Sequence, residues 1–352
     1  MKKTITLLFF SLILAGCAFT SNSESSTSQN SENSISQNPV SASTSSSDET
    51  SVSDDLTSGA PSISDPDVST STPKLDIDAL KEQYGEFNIT NTKGEEGVLS
   101  SDGKTYTISV SSSKSAFTIK GFFEGRIIIN NDNELASFKG VELTLENACL
   151  FTDSGINIDY QVNDKNVEIV AKKNTENYII NLGEGNDDAA VNSEKNIEID
   201  GKGILNIFTQ TGHALKADKK IKLYDAPTLN ITAGHDAIHA SEFISNNEEE
   251  LEADFEEFNG TLNVLSALSQ AFDCTTSKGK GLIQLLTGTY NISNCESAFK
   301  TDVSLTIGGQ VIATNLSSDP VVKGDNSTGV TIEITDTGSF TVDGVSYTLT
   351  NV

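Results

Sequence analysis

Apolar and polar residues alternate in short segments through most of the chain beyond Thr105. Between residues 190 and 323 one phrase, an alanine followed by an apolar residue, returns every 23 to 34 residues. Its five copies are Ala190-Val191, Ala214-Leu215, Ala237-Ile238, Ala271-Phe272 and Ala298-Phe299. Two further alternating segments separate successive copies, as in Ile197/Ile199 and Leu205/Ile207. A period of two predicts strands, so the pattern predicts three short strands per repeat.

Repeats of this length are typical of solenoids, in which stacked neighbours share a core that no single repeat can bury alone. Three strands per repeat predict an all-β fold, a parallel β-helix of about ten coils of roughly 23 residues. Equivalent residues of successive coils then stack about 4.8 Å apart. One apolar column is expected to contain Ile197, Ile221, Ile283, Leu305 and Ile332. Outward-facing rows form in the same way, and any binding site must be built from them.

The repeats are flanked by segments expected to close the two ends of the solenoid. Residues 74–84 predict a short helix with Asp76 as its N-cap, placed over the open N-terminal end. Strand-like segments within residues 105–170 predict about four less regular coils. Residues 345–349 are expected to close the C-terminal end.

Residues 1–17 have the features of a lipoprotein signal peptide. Lys2 and Lys3 precede an apolar run over residues 5–14, and Leu14-Ala15-Gly16-Cys17 fits a lipobox. A transmembrane anchor needs about 20 apolar residues, and this run is shorter. We therefore expect cleavage before Cys17 and attachment of lipid to its thiol.

Residues 18–73 contain no lysine or arginine and are dominated by Ser, Thr, Asn and Gln. This composition predicts a disordered tether with a reach on the order of 40 Å. Residues 74–352 then form the folded domain, which we expect to be a monomer, lipid-anchored on the extracellular face of the cell membrane.

Acidic residues outnumber basic ones by 50 to 23, which gives a net charge of −27, and Arg126 is the single arginine. This charge excludes nucleic acid as an expected partner, because the phosphate backbone would be repelled. An acidic polymer would be repelled as well, unless a bound cation bridges it to the protein.

The cysteines beyond Cys17 predict no disulfide. Cys149 lies in an apolar strand and is expected to be a buried thiol. Cys274 follows its repeat alanine by three residues, whereas Cys295 precedes its alanine by three. A disulfide needs Cα atoms within about 7 Å, so this difference in register argues against a bond between them.

Four longer motifs add to this pattern. They are Gly140-Val141-Glu142-Leu143-Thr144-Leu145-Glu146-Asn147-Ala148, Lys165-Asn166-Val167-Glu168-Ile169-Val170, Asn186-Asp187-Asp188-Ala189-Ala190 and Thr228-Leu229-Asn230-Ile231-Thr232-Ala233-Gly234. As a set they resemble a bacterial surface family of carbohydrate-binding β-helix proteins known for binding acidic plant polysaccharides such as polygalacturonate. The resemblance implies a right-handed parallel β-helix, Ca²⁺ at acidic turns, polysaccharide binding and no established catalysis. The chain departs from the family at Gly212-His213-Ala214 and Ser269-Gln270-Ala271, which lack the acid expected before the repeat alanine.

Acidic residues recur near the repeat alanine and are candidate Ca²⁺ ligands. Asp187, Asp188, Asp236 and Glu296 lie in the predicted turn before it. Asp218 and Asp302 each lie four positions after it. Stacked turns can surround one ion with the about six to eight oxygen atoms that Ca²⁺ takes. Acidic residues also favour turns for conformational reasons alone.

Candidate sugar contacts lie on the outward rows. Two residues after the repeat alanine come Asn192, Lys216, His239, Asp273 and Lys300, of which Lys216, His239 and Lys300 could meet sugar carboxylates. His213, Asn230 and Tyr224 complete the candidate set, Asn230 from a row with Asn206, Asn263 and Asn291, and Tyr224 as the best outward aromatic ring. An ordinary solvated sheet face and an amide ladder are the competing interpretations of the two rows.

Two further features leave alternatives open. His213, His235 and His239 fall within 27 residues, and a zinc site there is conceivable although their spacing fits no closed zinc motif. An acidic insertion over residues 246–257 is either a solvated loop or a lid over a cation or ligand.

The function predicted is non-catalytic binding of an acidic, polygalacturonate-like polysaccharide with Ca²⁺ as cofactor. A β-helix hydrolase is the first alternative, with Asp187, Asp188, His213 and Asp164 as the only candidate groups. A lyase would have only Arg126 as base. A passive surface adhesin without a sugar ligand is the third hypothesis.

Overall fold

The structure is a computed structural model that describes residues 75–347 except 95, 111–113, 131–139, 163–164, 185–188, 246–256, 276–279 and 326. These residues belong to the second of the two units into which the chain divides, Ser71–Val352. The predicted signal peptide with Cys17, and the predicted tether up to residue 73, lie outside the described residues.

The described part is nearly all strand. Its one helix is α1 (Ile77–Tyr84). The strands are β1 (Asn88–Lys93), β2 (Val98–Leu99), β3 (Thr105–Ser109), β4 (Ser115–Glu124), β5 (Arg126–Asn130), β6 (Val141–Thr152), β7 (Ile158–Tyr160), β8 (Val167–Ala171), β9 (Glu176–Asn181), β10 (Ala189–Ser193), β11 (Asn196–Gly201), β12 (Ile204–Thr209), β13 (His213–Leu223), β14 (Thr228–Ala233), β15 (Ile238–Ser245), β16 (Thr261–Ala267), β17 (Gln270–Cys274), β18 (Leu282–Leu285), β19 (Thr289–Cys295), β20 (Ser297–Thr301), β21 (Ser304–Ile307), β22 (Gln310–Leu316), β23 (Val321–Lys323), β24 (Thr331–Ile334), β25 (Ser339–Val342) and β26 (Val345–Ser346).

Parallel pairing links each strand to the equivalent strand of the next repeat, which produces three ladders. Ladder 1 joins β3, β5, β7, β10, the first half of β13, the first half of β15, β17, β20 and β23. Ladder 2 joins the first halves of β4 and β6, then β8, β11, the second halves of β13 and β15, β18, β21 and β24. Ladder 3 joins the second halves of β4 and β6, then β9, β12, β14, β16, β19, β22 and β25. The all-β prediction is confirmed, as one large and mostly parallel sheet.

Alternate side chains of all three ladders meet in one apolar core. The predicted column is present in ladder 2, where Ile197 pairs with Ile221 and Ile283 with Leu305. Phe243, which was not in the predicted column, occupies the position between Ile221 and Ile283, and the acidic insertion lengthens only the interval that follows it. Stacking of equivalent apolar residues fixes the register, since a slip by one residue would expose every one of them.

Bends between ladders are made by residues that accept a left-handed backbone. Asn147 (φ 53°), inside β6, turns the chain from ladder 2 into ladder 3. Gly201 (φ 99°) ends β11 at a point where a Cβ would collide with the carbonyl oxygen of Ala171. At other bends buried asparagines bond the backbone, as Asn157 Nδ2 does to the carbonyl oxygens of Leu150 (3.2 Å) and Ile180 (2.9 Å). These contacts satisfy backbone groups that the corners would otherwise leave unpaired.

The N-terminal helix forms as predicted but lies elsewhere. Asp76 caps α1 by accepting a hydrogen bond from the backbone N–H of Ala79 (3.0 Å). Leu80 and neighbouring apolar residues of the helix pack on the outer face of ladder 3, against Phe122, Cys149 and others, and not over the end of the core. The predicted end cap was therefore wrong. At that end β1 pairs antiparallel with β4 instead.

The C-terminal end closes as predicted within the described residues. β26 pairs antiparallel with β25. The ring of Tyr347 packs 4.7 Å from that of Phe340, and both belong to the core or lie against it. Residues 348–349 of the predicted closing segment lie outside the described residues.

Cys149, Cys274 and Cys295 are buried and free, so the prediction of no disulfide between the last two is confirmed. Burial raises the pKa of Cys149 to about 12.

Across the described ranges, no helix combines the length and the apolar character that a membrane crossing requires.

Candidate functional site

The outward row of ladder 1 has the register that the repeat spacing predicts. Asn192 pairs with Lys216, Lys216 with His239, His239 with Asp273, and Asp273 with Lys300. We call these five residues the polar row. Asp273 is buried, and its carboxylate lies 3.3 Å from the ammonium group of Lys300. The row thus mixes uncharged and charged side chains along one face and includes the Asp273–Lys300 ion pair.

A histidine–aspartate cluster lies beside the middle of the polar row. Asp236 is fully buried, and its Oδ2 atom lies 3.2, 3.1 and 3.2 Å from the Nδ1 atoms of His213, His235 and His239 respectively. The other carboxylate oxygen, Oδ1, accepts a hydrogen bond from the backbone N–H of Gln270 (3.0 Å). We call His213, Asp236 and His239 the His–Asp cluster, because one ligand atom from each lies within 4.8 Å of the others.

The fold places these residues at one corner. Ala189, His213, Asp236, Gln270 and Ser297 each precede the repeat alanine, and all five are buried where the chain enters ladder 1. His213 and Asp236 are therefore equivalent residues of neighbouring repeats. His239 follows Asp236 by three residues and points back to it from the polar row.

Electrostatics at Asp236 favour the ionised carboxylate. Burial alone would raise the pKa of Asp236, but the imidazoles of His213 and His239, each with a nitrogen 3.2 Å from its carboxylate, outweigh this effect, and the net pKa is well below the usual range. Burial lowers the pKa of His213, and the nearby Asp236 opposes this only in part. A buried negative charge thus faces imidazole rings, and burial disfavours protonation of one of them, that of His213.

A second cluster, at the corner between ladders 1 and 2, was not anticipated. Lys195, Lys219, Lys220 and Lys280 line a cleft of about 430 Å³ together with Glu242, and we call these four residues the lysine cluster. The two carboxylate oxygens of the buried Glu242 lie 3.2 Å from Lys220 Nζ and 3.1 Å from Lys280 Nζ. The run Ala217-Asp218-Lys219-Lys220-Ile221-Lys222 in β13 is locally basic in an acidic chain, and it was the sequence signal that could have revealed the cluster.

Among the residues that the structure describes, the predicted Ca²⁺ ligands do not form one group. Asp187, Asp188 and most of the acidic insertion lie outside the described residues. Asp236 faces histidines, and Glu296 is exposed, with Gln270 Nε2 3.4 Å from its carboxylate. Asp218 is exposed, and Asp302 buried, at the far end of the ladder 1 strands. Calcium binding stays a prediction.

Comparison with known proteins gives the family. A sequence model for carbohydrate-binding domain-containing proteins matches residues 102–350, which is well over half of the chain. The chain belongs to this family. Among solved structures it is similar to a polysaccharide lyase-like protein from C. thermocellum, determined as a gadolinium derivative, with a TM-score of 0.51 and 16% identity over 69% of this chain and 92% of that chain. At this identity the likeness concerns the fold alone. A search of curated proteins found no match.

The predicted sugar contacts of this carbohydrate-binding family member differ in how accessible their side chains are. Lys216, His239 and Lys300 are half-buried on the polar row, and His213 is buried in the His–Asp cluster. Tyr224 is 3% exposed, so the prediction of an outward ring was wrong and its face is not accessible to a sugar. Asn230 is half-buried and bonds its neighbours along the Asn row, donating to Asn206 and accepting from Asn263, each at 2.8 Å.

The residues of the enzyme alternative are only partly placed. Asp164, Asp187 and Asp188 lie outside the described residues. His213 faces Asp236 in the His–Asp cluster, and Arg126 begins β5, far along ladder 1 from β13. The family description concerns binding and the neighbour is named lyase-like, so the comparisons leave catalysis open.

Proposed function

We propose that this chain is a non-catalytic surface lipoprotein that binds an acidic polysaccharide of the polygalacturonate type. Its family supports carbohydrate binding. The observation that supports an acidic ligand is the convergence of the lysine cluster on one cleft in a chain of net charge −27. A local concentration of ammonium groups offsets the repulsion of a polyanion where it touches the protein.

The binding face in this proposal runs along β13 and β15, which contain both Lys216 and His239 of the polar row and, beyond the corner, Lys220. Equivalent residues lie about 4.8 Å apart from repeat to repeat, so a chain of sugars can meet one row after another. Few aromatic rings are exposed among the described residues, and ion pairs with sugar carboxylates therefore dominate the recognition we propose.

The finer architecture in the proposal is a right-handed parallel β-helix. The chain enters ladders 1, 2 and 3 in turn and then returns to ladder 1 in the next repeat, and this order supports a parallel β-helix. The right hand of the coil is proposed from the family resemblance. The proposal also keeps Ca²⁺ as a bridge at the Asp187–Asp188 pair, and lipid on Cys17 as the anchor on the extracellular face of the membrane. The support for these is the sequence alone, in the adjacent acids and the Leu14-Ala15-Gly16-Cys17 motif.

The first prediction tests the lysine cluster. The triple variant Lys195→Gln, Lys219→Gln, Lys280→Gln should bind polygalacturonate about tenfold more weakly or worse, since each exposed ion pair contributes up to about 1 kcal/mol. Lys220 is kept so that the buried Glu242 retains a partner. Affinity electrophoresis in gels containing polygalacturonate, with a neutral polysaccharide as reference, measures the change, and runs with Ca²⁺ or with a chelator separate bridged from direct binding.

A matched control removes three lysines elsewhere. Lys81→Gln, Lys104→Gln and Lys172→Gln change the net charge equally but lie outside the cleft, in ion pairs with Glu124 and Glu146. They should leave affinity nearly unchanged. Equal losses in the two triple variants would contradict a localised site, and no retention of the wild-type chain on any acidic polysaccharide would favour the adhesin hypothesis.

A further inference from the structure

The His–Asp cluster combines two imidazoles with a buried carboxylate, a donor set that ion pairing with a sugar carboxylate does not require. We propose that His213, Asp236 and His239 form a binding site for a first-row transition-metal ion, of which Zn²⁺ fits best. The site lies at the corner where β13 and β15 enter ladder 1, beside the polar row.

The distances from Asp236 to the two imidazoles fit a tetrahedral ion, and one donor atom of each residue lies within 4.8 Å of the others. Zn²⁺ bonds of about 2.0 to 2.2 Å to imidazole nitrogen and carboxylate oxygen place tetrahedral ligand atoms roughly 3.4 Å apart. The Oδ2 atom of Asp236 lies 3.2 Å from Nδ1 of His213 and 3.2 Å from Nδ1 of His239. Small side-chain movements would admit an ion between them.

The donor types at the His–Asp cluster do not suit Ca²⁺, for which Asp236 was a candidate ligand. Ca²⁺ is a hard cation that takes oxygen ligands, and two of the three groups here are imidazoles. Imidazole together with one carboxylate suits Zn²⁺ and its neighbours in the first transition row. Three protein ligands leave the fourth tetrahedral position to a water or to an atom of a bound ligand.

An independent observation points to a missing partner at this site. The side chain of His213 is 6% exposed, and its Nδ1 atom makes no hydrogen bond of acceptable geometry even though Asp236 Oδ2 lies 3.2 Å away. Buried polar atoms are nearly always bonded, so an orphaned ring nitrogen aimed at a buried carboxylate needs an explanation. A metal ion between the two atoms provides it.

A backbone hydrogen bond orients the Asp236 carboxylate, as is common for carboxylates that bind metal ions. The backbone N–H of Gln270 donates to Asp236 Oδ1, which leaves Oδ2 to face the imidazoles. Hydrogen bonds of this kind orient a ligating group and tune its basicity. His235 also approaches Oδ2, at 3.1 Å, but its side chain is 43% exposed and it does not belong to the set of mutually close donors. We place it at the rim of the site.

The test uses the full chain, stripped of metal by a chelator and dialysed. Titration with ZnCl₂ in a calorimeter should give one tight site per chain, and CoCl₂ should give the visible absorption bands of tetrahedral Co²⁺. His239→Gln, at a half-exposed position, should weaken Zn²⁺ binding about 100-fold or more, because even outer partners of metal ligands contribute about 10- to 100-fold. Asp236→Asn should have the same effect.

Controls separate a lost ligand from a lost fold. Asp273→Asn removes the next carboxylate along the polar row and should leave Zn²⁺ affinity unchanged, as should an excess of Ca²⁺. Circular dichroism of the metal-free variants should match that of the wild type, and Zn²⁺ should raise the melting temperature of the wild type but not of His239→Gln. Absence of Zn²⁺ binding to the wild type, or equal binding to His239→Gln, would overturn the proposal.

Discussion

At the residue scale, the Asn row shows how stacked repeats turn single side chains into a chain of hydrogen bonds. Nδ2 of Asn230, Asn263 and Asn291 each donates to Oδ1 of the preceding Asn, at 2.8 Å. At the start of the row Asn206 donates to Glu176 Oε1 at 3.1 Å. The amides thus bond each other, as the amide-ladder interpretation proposed, and the inner members have both groups occupied.

Removing an inner member of this row should cost more than removing its end. Asn230→Ala breaks two ladder bonds and should lower the free energy of unfolding by about 1 to 2 kcal/mol, whereas Asn291→Ala breaks one and should cost about half as much. Urea unfolding followed by circular dichroism measures both. Equal losses would mean that water replaces the ladder bonds without cost.

The acidic row of ladder 2 gives a pH dependence whose sign can be worked out. Glu142, Glu168 and Glu198 are equivalent residues of successive repeats, and Lys114 Nζ lies 2.8 Å from Glu168. Burial raises the pKa of Glu168 despite this ion pair. The charged form of Glu168 is then less favourable in the folded chain than in the unfolded one. The stabilising contribution of this carboxyl group is therefore present at low pH, where the group is neutral, and is lost as the pH rises through the folded pKa.

Glu168→Gln mimics the neutral form and should remove this dependence. Relative to the wild type, the melting temperature of the variant should rise as the pH increases above the ordinary range of a glutamate pKa. Glu146→Gln is the control of opposite sign, because hydrogen bonds from Lys172 and Lys120 lower the pKa of Glu146 and its stabilising contribution is lost on acidification. A common direction for the two variants would contradict the assignment.

At the element scale, α1 is an outer cover for one ladder. Its apolar side chains, with Leu75, lie over Phe122, Cys149, Phe151 and Ile180, which point away from the main core. Tyr84 packs edge-on against Tyr178 at 5.8 Å and donates a hydrogen bond to the carbonyl oxygen of Glu176 (3.0 Å). The helix therefore shields the Cys149 thiol, and the outer face beneath it would otherwise be an exposed apolar surface.

Loosening this helix should expose one thiol selectively. Leu80→Ser should increase the rate at which iodoacetamide alkylates Cys149 by about tenfold or more, through local opening, while Cys274 and Cys295 stay protected in the core. Peptide mapping by mass spectrometry reads the three sites separately. Gln83→Ser, at an exposed position of the same helix, should leave the rate unchanged, and a rise at all three cysteines would indicate global unfolding instead.

At the scale of the whole molecule, the net negative charge destabilises the folded state. The chain has a net charge of −27, and lysines offset it only locally, as Lys114 does between Glu142 and Glu168. Self-repulsion of this size destabilises a compact state, and salt screens it.

The melting temperature should therefore rise with NaCl between about 0.01 and about 0.15 M, as the screening length falls from about 30 to about 8 Å. Lys81→Gln with Lys104→Gln increases the negative charge and should steepen the rise. Thermal unfolding followed by circular dichroism is the measurement. A melting temperature that falls with salt would show that surface ion pairs outweigh the repulsion.

Much of the fold could be predicted because stacking copies a local pattern many times. The alternation in Ile197/Ile199 and its recurrence at Ile221/Leu223 fix both the face and the register, since any slip exposes a whole column. The polar row and the Asn row followed from the same spacing. The helix over residues 77–84 was recognisable from its cap, but its position was not, because an apolar helix face fits an outer sheet face as well as a core end.

The sequence by itself determined which residues share a row, because alternation and constant spacing assign each strand residue to one face and one neighbour. Only the tertiary structure decided what meets at the corners, where alternation stops and the bend of the backbone sets side-chain direction. It aimed His213 and His239 at Asp236 and brought Lys280 to Glu242 from another repeat. It also buried Tyr224, directly after the end of β13, where alternation no longer sets the direction of the side chain.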